Sequence, residues 1–185
     1  MKNILACFLL LSLLLSTACK DDSRDLEVAL RYDGDNFNAP LLEADLYEAA
    51  ARFPASVTGN YTGRNLTEVE YYMAGTPQQT ILRVYGPGTD DEPGTILYES
   101  ALSGDISQNS FNTHVLDTPV AITGEELWIS IRFRNNRTLQ TIGCDPGPRV
   151  PNGDFLYQES DGRWLSFAQR TGESINWNIR GVVTE

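Results

Sequence analysis

Two groups of residues have the types and spacing to hold a ligand. In Leu127-Trp128-Ile129-Ser130-Ile131-Arg132-Phe133 the apolar residues fall on every second position. An extended strand therefore puts Leu127, Ile129, Ile131 and Phe133 on one face and Trp128, Ser130 and Arg132 on the other. Trp164 opposes Leu165 in the same way and shares a face with Ser166. An indole on a polar sheet face stacks on a sugar ring, and a nearby guanidinium or amide, Arg132 or Asn178, bonds its hydroxyls. Trp128, Arg132 and Trp164 are thus the candidate ligand-binding residues. The alternative for Trp128 is cover by a loop or a sheet edge, because large aromatics are rarely left bare. The second group is Asp33-Gly34-Asp35-Asn36 with Asn38, oxygen ligands around a glycine turn. Asp33, Asp35 and Asn36 make calcium a candidate there. The cluster lacks the downstream bidentate glutamate of an EF-hand, and Asx-rich turns form without metal. No other cofactor is expected.

Catalytic constellations are sparse. His114 is the one histidine, and it sits in Phe111-Asn112-Thr113-His114-Val115-Leu116, an ordinary strand pattern. A serine or cysteine triad would need that imidazole as its base, and no Gly-x-Ser-x-Gly elbow is present. Zinc sites built from several His and Cys ligands are excluded by inventory. Cys144, beside Asp145, lacks the neighbouring positive charge that activates a thiol, and reads as a buried structural cysteine. Glycoside hydrolysis needs two carboxylates, yet no pair stands out among the 25 acidic residues. The expectation is a protein without catalysis, with a glycoside-acting enzyme ranked behind it.

The elements that must carry these residues read as strands. Apolar residues recur with period two in short runs broken by Gly, Pro, Asn and Asp. The expected strands are Glu27 to Tyr32, Tyr47 to Phe53, Glu68 to Met73, Thr80 to Tyr85, Thr95 to Glu99, Phe111 to Leu116, Leu127 to Phe133, Phe155 to Gln158, Trp164 to Phe167 and Ile175 to Val183. About ten short strands without a convincing long helix predict an all-β fold, a jelly-roll-like β-sandwich. Leu41 to Ala51 carries a weak helical stripe after Pro40, and a loop leading into a strand is the preferred reading. In Ile175 to Ile179 the alternation assigns Trp177 to the core. The run Gly86-Pro87-Gly88-Thr89-Asp90-Asp91-Glu92-Pro93-Gly94 is too rich in breakers to be anything but a long hairpin connection. The stretch from Cys144 to Gly153, with its prolines, must likewise be irregular.

Before the strands, Lys2, the apolar run Ile4 to Leu15 and the small residues Ser16-Thr17-Ala18 read as a secretory signal peptide. The run is shorter than the roughly 20 apolar residues of a spanning helix. Small residues followed by Cys19 resemble the lipobox of bacterial lipoproteins, which implies that Cys19 is acylated and becomes the mature N-terminus. Ser16 stands where that motif usually has Leu. Lys20-Asp21-Asp22 resembles the export signal of Bacteroidetes surface lipoproteins, which implies an outer-membrane, cell-surface location; a simple polar tether is the alternative. Residues 1–18 are then the signal, 19–26 the tether and 27–185 one domain. About 167 residues remain, enough to bury a substantial core without disulfide or metal. The formal net charge of −11 becomes one unit more negative when Lys2 leaves. Such a surface repels phosphate backbones and anionic headgroups, so nucleic acid is not an expected partner and membrane contact falls to the lipid.

A further resemblance rests on the order of several short motifs. These are Ala50-Ala51-Arg52-Phe53, Val84-Tyr85-Gly86-Pro87-Gly88-Thr89, Ile96-Leu97-Tyr98-Glu99, Glu126-Leu127-Trp128-Ile129, Gly143-Cys144-Asp145-Pro146-Gly147-Pro148 and Trp177-Asn178-Ile179-Arg180-Gly181. Together they resemble modules of Bacteroidetes cell-surface and secreted proteins, including adhesin-type regions attached to gingipain-like proteases, over roughly residues 33 to 183. The resemblance implies a β-sandwich adhesion or accessory module with no catalytic centre, and it carries over no ligand residues. The functional expectation is a non-catalytic adhesion or carbohydrate-binding module. The alternative is an accessory subunit that binds a cell-envelope or host protein through an exposed sheet edge.

Overall fold

The alternating segments pair into antiparallel sheets. The structure, a computed structural model, describes the backbone of residues 27–29 and all of residues 30–102, 104 and 106–185. In chain order the strands are β1 (Glu27–Leu30), β2 (Leu41–Leu42), β3 (Leu46–Phe53), β4 (Asn65–Met73), β5 (Gln79–Tyr85), β6 (Ile96–Ala101), β7 (Ser110–Ala121), β8 (Leu127–Arg134), β9 (Leu139–Gln140), β10 (Phe155–Gln158), β11 (Arg163–Ser166) and β12 (Ile179–Thr184). Among the described residues two short α-helices interrupt them, α1 (Ala55–Thr58), followed directly by a 3-10 turn (Gly59–Tyr61), and α2 (Phe167–Thr171). A four-stranded sheet runs β1-β12-β4-β7, and a six-stranded sheet runs β11-β10-β3-β8-β5-β6. β2 and β9 form a separate small pair. The all-β, sandwich-like fold expected from the periodicity is what forms.

One core lies between the two larger sheets. The six-stranded sheet contributes Ala49, Ala51, Leu82, Val84, Leu127, Ile129, Ile131 and Phe133, and the other contributes Leu66, Val69, Met73, Ile179 and Val183. Trp177 packs in the same cluster at 1% exposure, where the alternation assigned it. Gly181 lies in this core between side chains of both sheets. A Cβ there would stand 2.8 Å from Leu66 Cδ1 and 2.9 Å from Ile129 Cδ1, so any side chain would have to displace both core residues.

Several elements differ from expectation for identifiable reasons. β7 continues beyond Leu116 through Pro119, which an edge strand tolerates because its outer amides need no ladder partner. β12 begins at Ile179 rather than Ile175, because the backbone before it bonds loop residues: Asp145 N donates to Asn176 O, Trp177 N to Gly153 O and Asn178 N to Gly143 O. β11 ends at Ser166, whose side chain caps α2 by accepting from Gln169 N, while the Gln169 side chain accepts from Ser166 N. That reciprocal arrangement is a capping box.

Candidate functional site

The outward face of the six-stranded sheet collects the polar and aromatic residues that the alternation sets opposite the core. Cross-strand register aligns them in rungs. One rung runs Trp164 (β11), Tyr157 (β10), Glu48 (β3), Arg132 (β8) and Ile81 (β5). The next runs Ser166, Phe155, Ala50, Ser130 and Arg83, and a third holds Arg52, Trp128 and Tyr85. Neighbouring strands stand about 4.8 Å apart, so the first rung spreads its groups over roughly 20 Å.

At the centre of this face is a buried carboxylate. Glu48, 1% exposed, accepts from the Tyr85 hydroxyl, from Ser130 Oγ at 2.6 Å, from Arg83 at 3.2 Å and from Arg132 at 3.4 Å. Two guanidiniums and two hydroxyls compensate the desolvation that would otherwise expel the charge. Burial, followed by the Glu48 charge, pushes the Tyr85 phenol above its ordinary value. Arg83 also holds Glu99 at 2.6 Å, whereas Glu48 is the one carboxylate paired with Arg132 among the described residues.

Trp128 requires a correction. It lies on the expected outward face but is 0% exposed, packed with Ala50, Tyr85 and Phe155. Phe155 sits 4.7 Å from it and Trp164 6.0 Å, Arg52 lies over its ring, and its indole donates to Glu126 at 2.8 Å. β8 is a central strand, so its outward side chains have neighbours on both sides, and no ring face is left for a sugar. Asn178, 0% exposed, is not near this face either; its amide donates to Asp33. Trp164 differs because β11 is an edge strand. It is only partly buried, with Tyr157 at 5.6 Å across the hairpin.

At the Ser166 end of β11 is a cavity of about 370 Å³, lined by Asp91, Arg149, Phe155, Ser166, Ala168 and Gln169, within the range of small-ligand sites. Ser166 is two residues along β11 from Trp164, about 7 Å. Arg149 is half-buried and gives its Nε to Asp154 Oδ1 at 2.7 Å, leaving its terminal nitrogens as donors. The Asp91 carboxylate, exposed on the loop, supplies acceptors opposite. That loop is tied down by Arg52, which bonds Asp90, and by Gly88 N, which donates to Glu126. Phe155, one cationic donor and one anionic acceptor line this cavity, and the Trp164 and Tyr157 pair stands on the adjoining rung.

The Asp33 loop does not have the shape of a calcium site. The Asp33 oxygens already face Asn178 Nδ2 at 2.6 Å and Arg180 Nε at 2.9 Å, so a guanidinium occupies the cation's position. Burial raises its carboxyl above the ordinary range against the pull of Asn178 and Arg180. Asp35 is exposed, and Asn36 carries a buried Oδ1 without a partner. No three His, Cys, Asp or Glu side chains cluster for a metal among the described residues. The neighbouring loop is locked by Asp145, which accepts from the amides of Gly34, Gly147 and Asn176, each at 2.9 Å, and from Asn176 Nδ2. Cys144 is buried, and burial followed by Asp145 pushes its thiol up to about 12, so it is inert. His114 Nε2 bonds the Tyr98 hydroxyl at 2.8 Å and has no serine or cysteine nucleophile at this bond.

Arg149, Asp91, Phe155 and Tyr157 were not singled out by sequence. The signal in reach was the alternation of Phe155 and Tyr157 in β10; the rest depends on register and loop path. Cys19 and Lys20-Asp21-Asp22 lie outside the described residues, among which no helix is long and apolar enough to cross a membrane. No protein-family model matches the chain, and no curated protein matches it.

Proposed function

We propose that this protein is a surface lipoprotein acting as a non-catalytic adhesion or carbohydrate-binding module, with its ligand on the outward face of the six-stranded sheet. The observation that carries this reading is the half-buried Trp164 and Tyr157 pair one rung from the Ser166 and Phe155 wall of the cavity that Arg149 and Asp91 also line. A pyranose ring stacks on the Trp164 edge. Hydroxyls of that or the adjoining ring bond Arg149 and Asp91 in the cavity, and Arg132 lies further along the Trp164 rung. The test is a glycan array probed with the chain from Lys20 onward. Trp164→Ala is expected to weaken a hit by about 5-fold to 150-fold, the loss of one stacking surface, while the thermal midpoint stays nearly unchanged. Binding that survives Trp164→Ala and Arg149→Met undiminished defeats the reading.

The lipid anchor belongs to the same proposal and rests on the apolar run and small residues before Cys19. Cys19→Ala is expected to release the protein from membranes and abolish metabolic labelling by a fatty acid. Labelling that persists in the variant removes Cys19 as the acylation site.

A further inference from the structure

A second cleft adjoins the aromatic face at Glu126, which lines it and accepts from Trp128. β6 and β7 are edge strands of different sheets, bridged at one flank of the sandwich by the Tyr98 to His114 hydrogen bond. β6 pairs only with β5, and β7 only with β4, so each leaves a row of main-chain groups unpaired on its outer side. Near them opens a cavity of about 360 Å³ whose apolar wall includes Pro87, Leu97, Val120, Ala121 and Leu127. Leu97 is 51% exposed and Ile96, its neighbour on the same edge strand, 44%.

The charge around this cleft has one sign. Glu125 and Glu126 line it, and no basic residue does. Asp117 stands on β7 one residue before the lining segment and Glu92 on the loop that carries Pro87, while Asp91 of that loop lines the other cavity. Arg52 balances Glu126, whereas Glu125, Asp117, Asp91 and Glu92 have no cationic partner among the described residues. The loop is held in shape: the Thr89 hydroxyl accepts from the amides of Asp91 and Glu92, and a Cβ on Gly94 would stand 1.9 Å from the Pro87 carbonyl. Pro87 is therefore a fixed wall.

We infer that this cleft docks an extended segment of a partner protein in which aliphatic residues alternate with Lys or Arg. The segment pairs its main chain with the free edge of β6, sets an aliphatic side chain against Leu97, Val120 and Leu127, and turns its cations to Glu125, Asp117 and Glu92. Main-chain pairing gives affinity, the pocket selects the side chain, and charge selects the partner. A second copy of this chain is disfavoured, because it would bring the same acidic rim against itself at a net charge of −11.

The test titrates the full chain with a fluorescent peptide of alternating Val and Lys, and with a Val and Glu counterpart of equal length, reading anisotropy. The Val-Lys peptide is expected to bind saturably and to slow hydrogen exchange at the β6 amides, and the Val-Glu peptide to show no binding. Glu125→Lys and Leu97→Arg, both at exposed positions, should each weaken binding about tenfold or more with the thermal midpoint unchanged. Trp164→Ala should leave it unaltered, which separates this cleft from the aromatic face. No saturable binding, equal binding of both peptides, or Val-Lys binding that neither cleft variant weakens would overturn the inference; the last would mean attraction to the acidic surface as a whole.

Discussion

Trp177→Ala is expected to lower the free energy of unfolding by about 3 to 5 kcal/mol, the range for emptying a large aromatic site in a packed core. Trp177 is 1% exposed, lies 5.2 Å from the Phe167 ring in an edge-on contact, and donates its indole N–H to the Phe155 carbonyl at 2.9 Å. The substitution opens a cavity in the core cluster and leaves the Phe155 carbonyl without that donor. Because that carbonyl begins β10, the damage extends toward the aromatic face above it. Urea denaturation followed by circular dichroism measures the change, and a variant within about 0.5 kcal/mol of the parent would show that the site collapses without loss.

Asp145→Ala should cost a similar amount, about 3 to 5 kcal/mol, by a different route. The carboxylate holds the amides of Gly34, Gly147 and Asn176 and the Asn176 side chain, so its removal strips charge-assisted acceptors from three backbone donors at once. The same residue gives an acid signature. Burial alone would raise its pKa, but the Asn176 side chain and the three amides outweigh burial and hold the carboxyl below its ordinary value. A depressed folded-state pKa contributes stability that is present above the unfolded-state value near 4 and is lost as pH falls toward the folded-state value. Stability measured below about pH 4 should therefore fall more steeply in the parent than in Asp145→Ala. Parallel acid limbs would assign the acid sensitivity to other carboxylates.

The faces of β8 and β11 were legible in the sequence, and the order of the strands was not. Trp128 and Trp164 carry the same local signal, an indole opposite an apolar neighbour. They end differently because β8 is central, flanked by Arg52 and Tyr85, while β11 is an edge with one neighbour. Alternation assigned Trp177 to the core and gave the bounds of β10, since both are local properties. Ser166-Phe167-Ala168-Gln169 carries the capping-box pattern that stops β11 one residue early, a signal present in the sequence but overridden by the apolar run. The pairing of Asp33 with Arg180 could not be read, because those residues meet across most of the chain, and an Asx-rich turn looks alike whether it serves a metal or a guanidinium. Arg149 and Asp91 come together for the same nonlocal reason.

The most direct test of the central claim uses the indole N–H signals of the three tryptophans during titration with the strongest saccharide from the array. Trp164, at the open edge of the face, is expected to shift most. Trp128, bonded to Glu126 beneath it, should shift less, and Trp177, bonded to Phe155 within the core, should hold its position. A saturating titration in which the Trp164 signal does not move would contradict the assignment of the outward face as the ligand site.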